Sequence, residues 1–151
     1  MTKALSPSFA AEIIAKSLPD AVTGLADGAL WVKSGSVLEV ARLLKDSPEL
    51  DLNFLSSVTG IDWYPTHFEV VYHLVSLTNN HGLVLKTKTA DRANPVVPSV
   101  VSVWCGANLQ EREVYDLMGI SFAGHPNLKR VLLWDEFEGH PLRKDFVPGS
   151  R

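Results

Sequence analysis

The sequence lacks three features that mark common classes of protein. Its 151 residues include one cysteine, Cys105, which excludes an internal disulfide and an iron–sulfur cluster held by this chain alone, because such clusters take several thiolates. No apolar run approaches the roughly 18 residues needed to span a bilayer. The net charge is -3 and no Lys- or Arg-rich run occurs, which argues against nucleic-acid binding. We therefore expect no contact with nucleic acid, and membrane contact only through another chain.

Motifs of common active sites are also missing. No glycine-rich phosphate loop, nucleophile elbow or dinucleotide fingerprint occurs. Glu111 and Glu113 point about 160° apart on a helix, so they cannot act on one substrate. Five histidines are present, but none has the spacing of a zinc site: His67, His73, His81, His125 and His140. We expect no catalytic residue, no bound cofactor and no metal site in this chain.

The order of periodic segments predicts an α+β fold. Helices are predicted from Pro7, from Ser36 and around Glu111, with a further short helix at Ser99–Cys105. Strands are predicted at five places: Asp20–Val22, Ala29–Lys33, Phe54–Asp62, His67–Leu77 and Leu83–Ala90. Asp27-Gly28 supplies turn residues between the first two strands. The sum is a two-layer domain in which helices cover one face of a largely antiparallel sheet of about five strands.

The third predicted helix carries a carboxylate on its apolar side. Five residues share one narrow face at 3.6 residues per turn: Trp104, Ala107, Glu111, Val114 and Met118. A buried carboxylate needs a cation or hydrogen-bond donors, or else takes up a proton. Glu111 therefore either anchors an arginine, of this chain or of a partner, or lies in water at the edge of the helix. Arg112 and Asp116 lie on the opposite side, where they would form a weak surface ion pair.

The last part of the chain is apolar but irregular. Gly119 is placed to end the helix in a left-handed conformation. Many large apolar residues follow without a sustained period of 3.6 or 2, among them Ile120, Phe122, Leu128, Val131, Leu132, Leu133, Trp134, Phe137, Leu142 and Phe146. Disordered termini lack such residues, and burial of each stabilises by about 1.5–3 kcal/mol. We therefore expect an extended tail at residues 119–151 that needs a partner protein for part of its contact surface.

A pattern of fixed spacings runs through this region: Glu111–Ile120, Gly124–Pro126, Arg130, Leu132 and Gly139–Asp145. Matches in the same order precede it at Phe68–Ser76, Lys86-Thr87 and Val97–Val100. The pattern resembles the signature of the 30-kDa (or C) subunit family of NADH dehydrogenase, respiratory complex I, from about Trp31 to Phe146. Leu109 and Met118 depart from the family's usual aromatic residues at those places, but both remain apolar.

The resemblance implies a mixed sheet in an α+β domain at residues 1–118 and a partner-binding tail at 119–151. Arg130 and Arg143 are predicted to be desolvated against the partner, because interfaces favour arginine, whereas Lys144 and the acidic residues of the tail are predicted to be solvated. The family signature and partner-binding residues carried over are Glu111, Arg112, Glu113, Asp116, Gly119, His125, Pro126, Arg130, Gly139, His140, Pro141, Arg143, Lys144 and Asp145.

The resemblance further implies a structural and assembly role in the peripheral arm of a proton-translocating NADH:quinone oxidoreductase. The expected partner is the 49-kDa (or D) subunit of the quinone module, with the B and I subunits nearby. FMN and iron–sulfur clusters are expected on partner subunits, and the chain is expected on the cytoplasmic side of the inner (plasma) membrane. Three alternatives remain: the equivalent subunit of a membrane-bound hydrogenase or a ferredoxin- or deazaflavin-linked complex, a stand-alone binding module, and a stand-alone hydrolase or metal enzyme.

Overall fold

The structure is a computed structural model and describes residues 1–149. Its helices are α1 (Pro7–Ser17), α2 (Val37–Asp46), which follows a 3₁₀ turn at Ser34–Ser36, and α3 (Ala107–Met118). Its strands are β1 (Lys3–Ala4), β2 (Val22–Ala26), β3 (Ala29–Val32), β4 (Phe54–Trp63), β5 (His67–Ser76), β6 (His81–Thr89), β7 (Val96–Pro98) and β8 (Ser121–Ala123).

The main sheet has the strand order β2-β3-β6-β5-β4, with β1 added beside the beginning of β6. The pairs β2–β3, β4–β5 and β5–β6 are antiparallel. The pairs β1–β6 and β3–β6 are parallel. The predicted α+β fold with a mixed, largely antiparallel sheet is therefore confirmed, with six strands in this sheet and a separate parallel pair, β7–β8.

One face of the sheet is covered by all three helices. On β5, Phe68, Val70, Tyr72 and Leu74 alternate towards the helices and are fully buried, whereas His73 points to the other face and is exposed. The inward direction of these four residues is what a period of two predicts for a strand. Glu69 and Val71, which point to the other face, are also buried, so that face is partly covered along the middle of the strand. The helices contribute apolar side chains to the same core, among them Ile14 of α1, Leu44 of α2 and Val114 of α3.

The first hairpin corrects a strand boundary. Asp27 and Gly28 adopt φ values of 53° and 71°, which makes them the two central residues of a tight hairpin turn. The strand before this turn is therefore β2 at Val22–Ala26. The predicted strand at Asp20–Val22 is too early, because Gly24 lies inside the strand, at a bulge between Val22 and Gly24, and not in the turn.

The predicted short helix at Ser99–Cys105 is wrong. The chain makes a single turn there, in which the N–H groups of Val103 and Trp104 both donate to the carbonyl of Val100. The Val100 N–H is taken by the Glu111 carboxylate, 2.8 Å away. The segment is thus shaped by a long-range side-chain contact that local sequence does not reveal.

Candidate functional site

The site is organised on α3, which packs directly against the edge strand β4. A Cβ atom added at Gly60 would lie 2.6 Å from Met118 Sδ and 3.0 Å from Val114 Cγ1, so the absence of a side chain lets the helix approach the strand. The Val58 N–H of β4 donates to Gln110 Oε1 at 2.7 Å, which satisfies a donor that an edge strand leaves open. The predicted buried face of the helix is confirmed, and its members are Trp104, Ala107, Glu111, Val114 and Met118.

Glu111 is completely buried, as one of the two predictions for it required, but no arginine within residues 1–149 pairs with it. Its Oε2 accepts the Ser99 hydroxyl at 2.6 Å and its Oε1 accepts the Val100 N–H at 2.8 Å. Burial raises the pKa of Glu111, and the hydrogen bonds from Ser99 and Val100 partly oppose that shift. Glu111 therefore connects α3 to the residues that follow β7. The sequence predicted an arginine as its partner, and the structure instead gives it a hydroxyl and a backbone N–H group.

His125 joins the beginning of the tail to the beginning of α3. Its imidazole is fully buried and lies 3.9 Å from the Glu111 carboxylate. The Asn127 N–H donates to its Nδ1 at 2.9 Å, so the ring proton lies on Nε2, which donates to the carbonyl of Asn108 at 3.0 Å. Both ring nitrogens are therefore used inside the chain.

Asp116 is the main anchor of the tail. Its carboxylate is completely buried. Oδ2 accepts three successive backbone N–H groups, those of Val131, Leu132 and Leu133, at 3.1, 2.8 and 3.0 Å. Oδ1 accepts the Arg130 guanidinium at 2.8 Å. Burial acts to raise the pKa of Asp116, but these hydrogen bonds outweigh it and lower the pKa to about 2.

The predicted surface ion pair between Arg112 and Asp116 is wrong. Asp116 does lie on the side of α3 away from the sheet, but the tail covers that side and turns it into an interior. Arg112 donates instead to two backbone carbonyls, those of Lys129 at 3.1 Å and Arg130 at 3.0 Å. Arg112 and Asp116 thus both bind the backbone around residues 129–133, and they do not pair with each other.

Arg130 connects the stretch of tail bound to Asp116 with residues 137–139 further along the tail. Its Nη2 donates to the carbonyls of Phe137 and Gly139 at 2.8 and 2.9 Å, while its Nη1 stays on Asp116. His140 Nδ1 donates to the Asp116 carbonyl at 2.9 Å. These contacts fold residues 130–140 into a loop closed by one guanidinium group.

Two of the glycines in the signature are required by close approaches. Gly119 ends α3 with φ of 74°, as predicted, and a Cβ atom there would lie 2.7 Å from the His140 ring. Gly139 has φ of 91°, and a Cβ atom there would lie 2.9 Å from the Phe146 ring. Both positions combine positive φ with a neighbouring ring, so a side chain at either one would strain the backbone and displace the ring.

A second carboxylate, Asp62 at the end of β4, holds the far end of the tail. Arg92 pairs with it through both terminal nitrogens, with Nη1 on Oδ1 and Nη2 on Oδ2. The Lys144 N–H also donates to Asp62 Oδ2, at 2.8 Å. Burial favours a higher pKa for Asp62, but Arg92 and the Lys144 N–H together lower it. Asp145 closes the cluster through its ion pair with Arg143 at 3.0 Å.

Sequence reasoning missed this second anchor. Asp62 and Arg92 lie 30 positions apart, and Asp62 and Lys144 lie 82 apart, so no local period connects them. Ser99, Asn108 and Gln110 were missed for the same reason. A polar residue at the end of an apolar strand, as Asp62 is, was the one available signal.

The other residues of the family signature differ in how exposed their side chains are. Arg130 and Arg143 have side chains 14% and 20% exposed and use their donors within the chain. Glu113 and Pro126 are exposed, and Pro141 is partly buried. A partner contact by these residues stays a prediction.

The tail begins inside the core and then continues along the surface of the domain, held by α3 and β4. Ile120 and Phe122 are buried in the core, and Ser121–Ala123 forms β8. From Gly124 to Gly149 the chain contains neither helix nor strand; we call these residues the C-terminal segment. Its backbone is held by the two carboxylates, but several of its apolar side chains face outward, with exposed fractions of 63% for Leu132, 63% for Trp134 and 60% for Leu142.

Trp134 is exposed but well supported. Its ring meets Phe137 edge to face with 5.0 Å between centroids, and Phe137 stacks on Phe146 at 6.1 Å. The Phe137 N–H donates to the Trp134 carbonyl at 3.0 Å, closing a turn between them. The indole is therefore presented on a stack of rings that the Arg130 loop holds in place.

Within residues 1–149, no helix is long and apolar enough to cross a membrane. In the same range, no group of three His, Cys, Asp or Glu side chains is arranged to hold a metal ion.

An α+β domain that carries an irregular, outward-facing apolar segment has the features of a subunit that works inside a larger assembly. The comparison with known families gives this class its identity: the chain belongs to the family of the 30-kDa subunit of respiratory-chain NADH dehydrogenase, whose model matches residues 30–151.

Curated relatives agree with the family. The C subunit of NADH-quinone oxidoreductase from Roseiflexus sp. (strain RS-1) is 44% identical over 153 aligned residues, which cover 97% of this chain and 87% of that protein. A second C-type subunit, from Rhizobium etli (strain CIAT 652), is 49% identical over 112 residues, 73% of this chain and 59% of that one. The combined C/D subunit of Phocaeicola vulgatus is 46% identical over 105 residues, 70% of this chain and 20% of that protein.

A solved structure shares the fold. It is a chain of the membrane-bound sulfane sulfur reductase, an archaeal respiratory membrane complex. The TM-score is 0.73 at 25% identity, covering 93% of this chain and 85% of that chain.

Proposed function

We propose that this chain is a structural and assembly subunit of the peripheral arm of a proton-translocating NADH:quinone oxidoreductase. Family membership supports the complex. The observation that carries the role is the C-terminal segment, whose backbone is fixed by Asp116 and Asp62 while Leu132 and Trp134 remain 63% exposed. Exposed apolar side chains on an ordered loop are typical of a protein–protein contact.

The 49-kDa subunit is the proposed partner of this segment, with the B and I subunits nearby. The relative from Phocaeicola vulgatus supports this choice, because its name combines the C and D subunits and the matched part of this chain aligns with 20% of its length. Two subunits joined in one polypeptide in a relative are reasonable neighbours when they are separate chains. The α+β domain then acts as a rigid block that sets the position of the segment.

The redox groups belong, in this proposal, to the partners. FMN and iron–sulfur clusters on neighbouring subunits carry electrons from NADH to quinone, and this chain supports that transfer by holding neighbours in place. The subunit reaches the cytoplasmic side of the inner membrane through its partners.

One observation favours a second candidate. The structural match to an archaeal sulfane sulfur reductase supports the same subunit type in related respiratory complexes, including hydrogenases and ferredoxin- or deazaflavin-linked enzymes. The two candidates share the docking role and differ in the other subunits. Recovery of NADH-oxidising subunits with this chain supports the main proposal, and recovery of a nickel-site subunit supports the second.

The docking role is tested by removing the C-terminal segment. Deletion should begin at Gly124, because Ile120 and Phe122 belong to the core. An affinity-tagged chain lacking residues 124–151 should fold but lose the 49-kDa subunit from native membranes, whereas Leu25→Ala, which alters an exposed leucine of β2, should retain it. Retention of the 49-kDa subunit by the shortened chain contradicts the proposal.

A further inference from the structure

The charged residues next to Trp134 in the C-terminal segment are acidic. The Arg130 guanidinium donates to the Asp116 carboxylate and to two backbone carbonyls, and Arg143 forms an ion pair with Asp145. Three acidic residues on either side of Phe137 are exposed and form no salt bridge with any residue of the described range 1–149: Asp135, Glu136 and Glu138. Arg130 and Arg143 are thus used inside the chain, whereas Lys129 and Lys144 of the segment remain exposed, with Lys144 Nζ over the Trp63 ring.

Two of these acids, Glu136 and Glu138, share a recess with an aromatic surface. Beside Trp134 lies an open recess of about 620 Å³, whose lining includes Trp134, Phe137 and Phe146, together with Glu136 and Glu138. An aromatic wall with carboxylates at its rim suits the aliphatic stem and cationic head of an arginine or lysine.

Hydrogen bonds within the chain hold the backbone on both sides of this surface. The backbone on one side of Trp134 is fixed by the Asp116 carboxylate, which accepts the Leu132 and Leu133 N–H groups. The backbone on the other side is fixed by Arg130, which holds the carbonyls of Phe137 and Gly139. A preformed aromatic anchor loses little conformational entropy on binding, and tryptophan is among the residues most enriched at the interface positions that dominate affinity.

From these observations we infer that Trp134 is the central anchor of the contact with the 49-kDa subunit, and that this partner presents there an apolar patch with an arginine or lysine rim facing Asp135, Glu136 and Glu138. This inference rests on the proposed function, and it reverses the sign of the contact that the arginines of the sequence suggested. The apolar part provides affinity, and the charges mainly raise the rate of association.

The test measures binding of the full-length chain to the purified 49-kDa subunit, by surface plasmon resonance at several salt concentrations. Trp134→Ala should weaken binding about 30-fold or more, and Trp134→Phe should weaken it less. The double change Glu136→Lys with Glu138→Lys should lower the association rate about tenfold at low salt, with the difference shrinking as salt rises. The matched control, Glu12→Lys with Glu49→Lys, makes the same charge change at exposed sites of α1 and the turn after α2 and should have a smaller effect.

Each outcome decides between the two levels of the proposal. Loss of binding on deletion of residues 124–151, with Trp134→Ala unchanged, overturns the inference and leaves the docking role standing. Binding that survives both changes overturns both. Faster association of the Glu136→Lys, Glu138→Lys variant shows that the rim on the 49-kDa subunit is acidic and overturns the inference. Because Trp134 is largely exposed, its variants should unfold at the same thermal midpoint as the unchanged chain. An unchanged midpoint shows that weaker binding does not come from a loss of folding.

Discussion

Asp116 and Arg130 form an ion pair of 2.8 Å in which the carboxylate is completely buried and the guanidinium side chain is 14% exposed. The pair joins the last turn of α3 to the C-terminal segment. Around it, three backbone N–H groups converge on the carboxylate and two carbonyls on the guanidinium. The two side chains therefore shape a stretch of chain that has no helix or strand of its own.

Replacing Asp116 by Asn should loosen the segment and destabilise the chain. The amide keeps the shape but removes the charge that favours Arg130 and the three N–H groups, and loss of one partner of a buried pair costs about 3–5 kcal/mol when it leaves a charge uncompensated. Arg130 keeps two carbonyls, so we expect about 2–3 kcal/mol in urea unfolding. Glu113→Gln, at an exposed site on the same helix, should change stability by less than about 0.5 kcal/mol; equal effects of the two changes would contradict the anchor.

The lowered pKa of Asp116 should make part of the free energy of unfolding sensitive to acid. Its pKa falls from the usual 3.8 to about 2 on folding, so the ionised form is favoured in the folded chain. That contribution, about 2 kcal/mol, is present above pH 4 and is lost as pH falls towards 2. Urea unfolding of the unchanged chain and Asp116→Asn between pH 2 and 5 should show the two curves converge at low pH; parallel curves would be inconsistent with the shift.

Glu111 should behave in the opposite way. Burial raises its pKa above the usual 4.5, so the folded chain favours the protonated carboxyl. The stabilisation is present below pH 4.5 and is lost as pH rises through the raised pKa. Glu111→Gln keeps partners for Ser99 and Val100 and should remove this loss, which unfolding measurements from about pH 4 to 8 can detect. An unchanged pH slope in this variant, relative to Glu113→Gln, would exclude Glu111 as its source.

Gly60 should not tolerate a side chain. A methyl group at Gly60 meets Met118 Sδ at 2.6 Å and Val114 Cγ1 at 3.0 Å, which pushes α3 away from β4. Gly60→Ala should therefore destabilise by about 1–3 kcal/mol, as overpacking does. Gly35→Ala is the control, because nothing lies within 4 Å of a Cβ atom there. Similar thermal midpoints for the two variants would show that the helix can move without cost.

Arg92 should protect the end of the segment from proteolysis. Without it, Asp62 keeps a buried charge with the Lys144 N–H alone, and the contact to residues 143–145 weakens. Arg92→Met should raise the rate of trypsin cleavage after Arg143 and Lys144, measured by mass spectrometry. Lys88→Met removes an exposed cation of β6 and should leave that rate unchanged; an equal rise in both variants would argue against the second anchor.

The fold could be predicted from sequence to the extent that it depends on local periods. The shared inner face of alternate residues on β5, the apolar face of α3 and the helix end at Gly119 all follow from neighbouring residues, and each is confirmed. The burial of Glu111 was visible on the helical wheel. Its partners were not, because Ser99 and His125 reach it from other elements.

The geometry of the C-terminal segment could not be predicted, for a physical reason. Its shape is set by two carboxylates on α3 and β4 that accept backbone N–H groups, and such contacts leave no periodic trace in the residues they bind. The partners of two arginines inside the chain could not be predicted for the same reason. Arg130 and Arg143 stood out in the sequence as interface cations, whereas their acidic partners inside the chain become evident only in three dimensions.

Amide hydrogen exchange of the full chain, with and without the 49-kDa subunit, tests most directly whether Asp116 fixes the segment before docking and leaves the stretch around Trp134 for the partner. We predict slow exchange at Leu132 and Leu133 in the chain alone, and slowed exchange at residues 134–138 once the 49-kDa subunit is added. Unprotected exchange at Leu132 and Leu133 in the chain alone, or no change at residues 134–138 with the partner bound, would contradict this order of events.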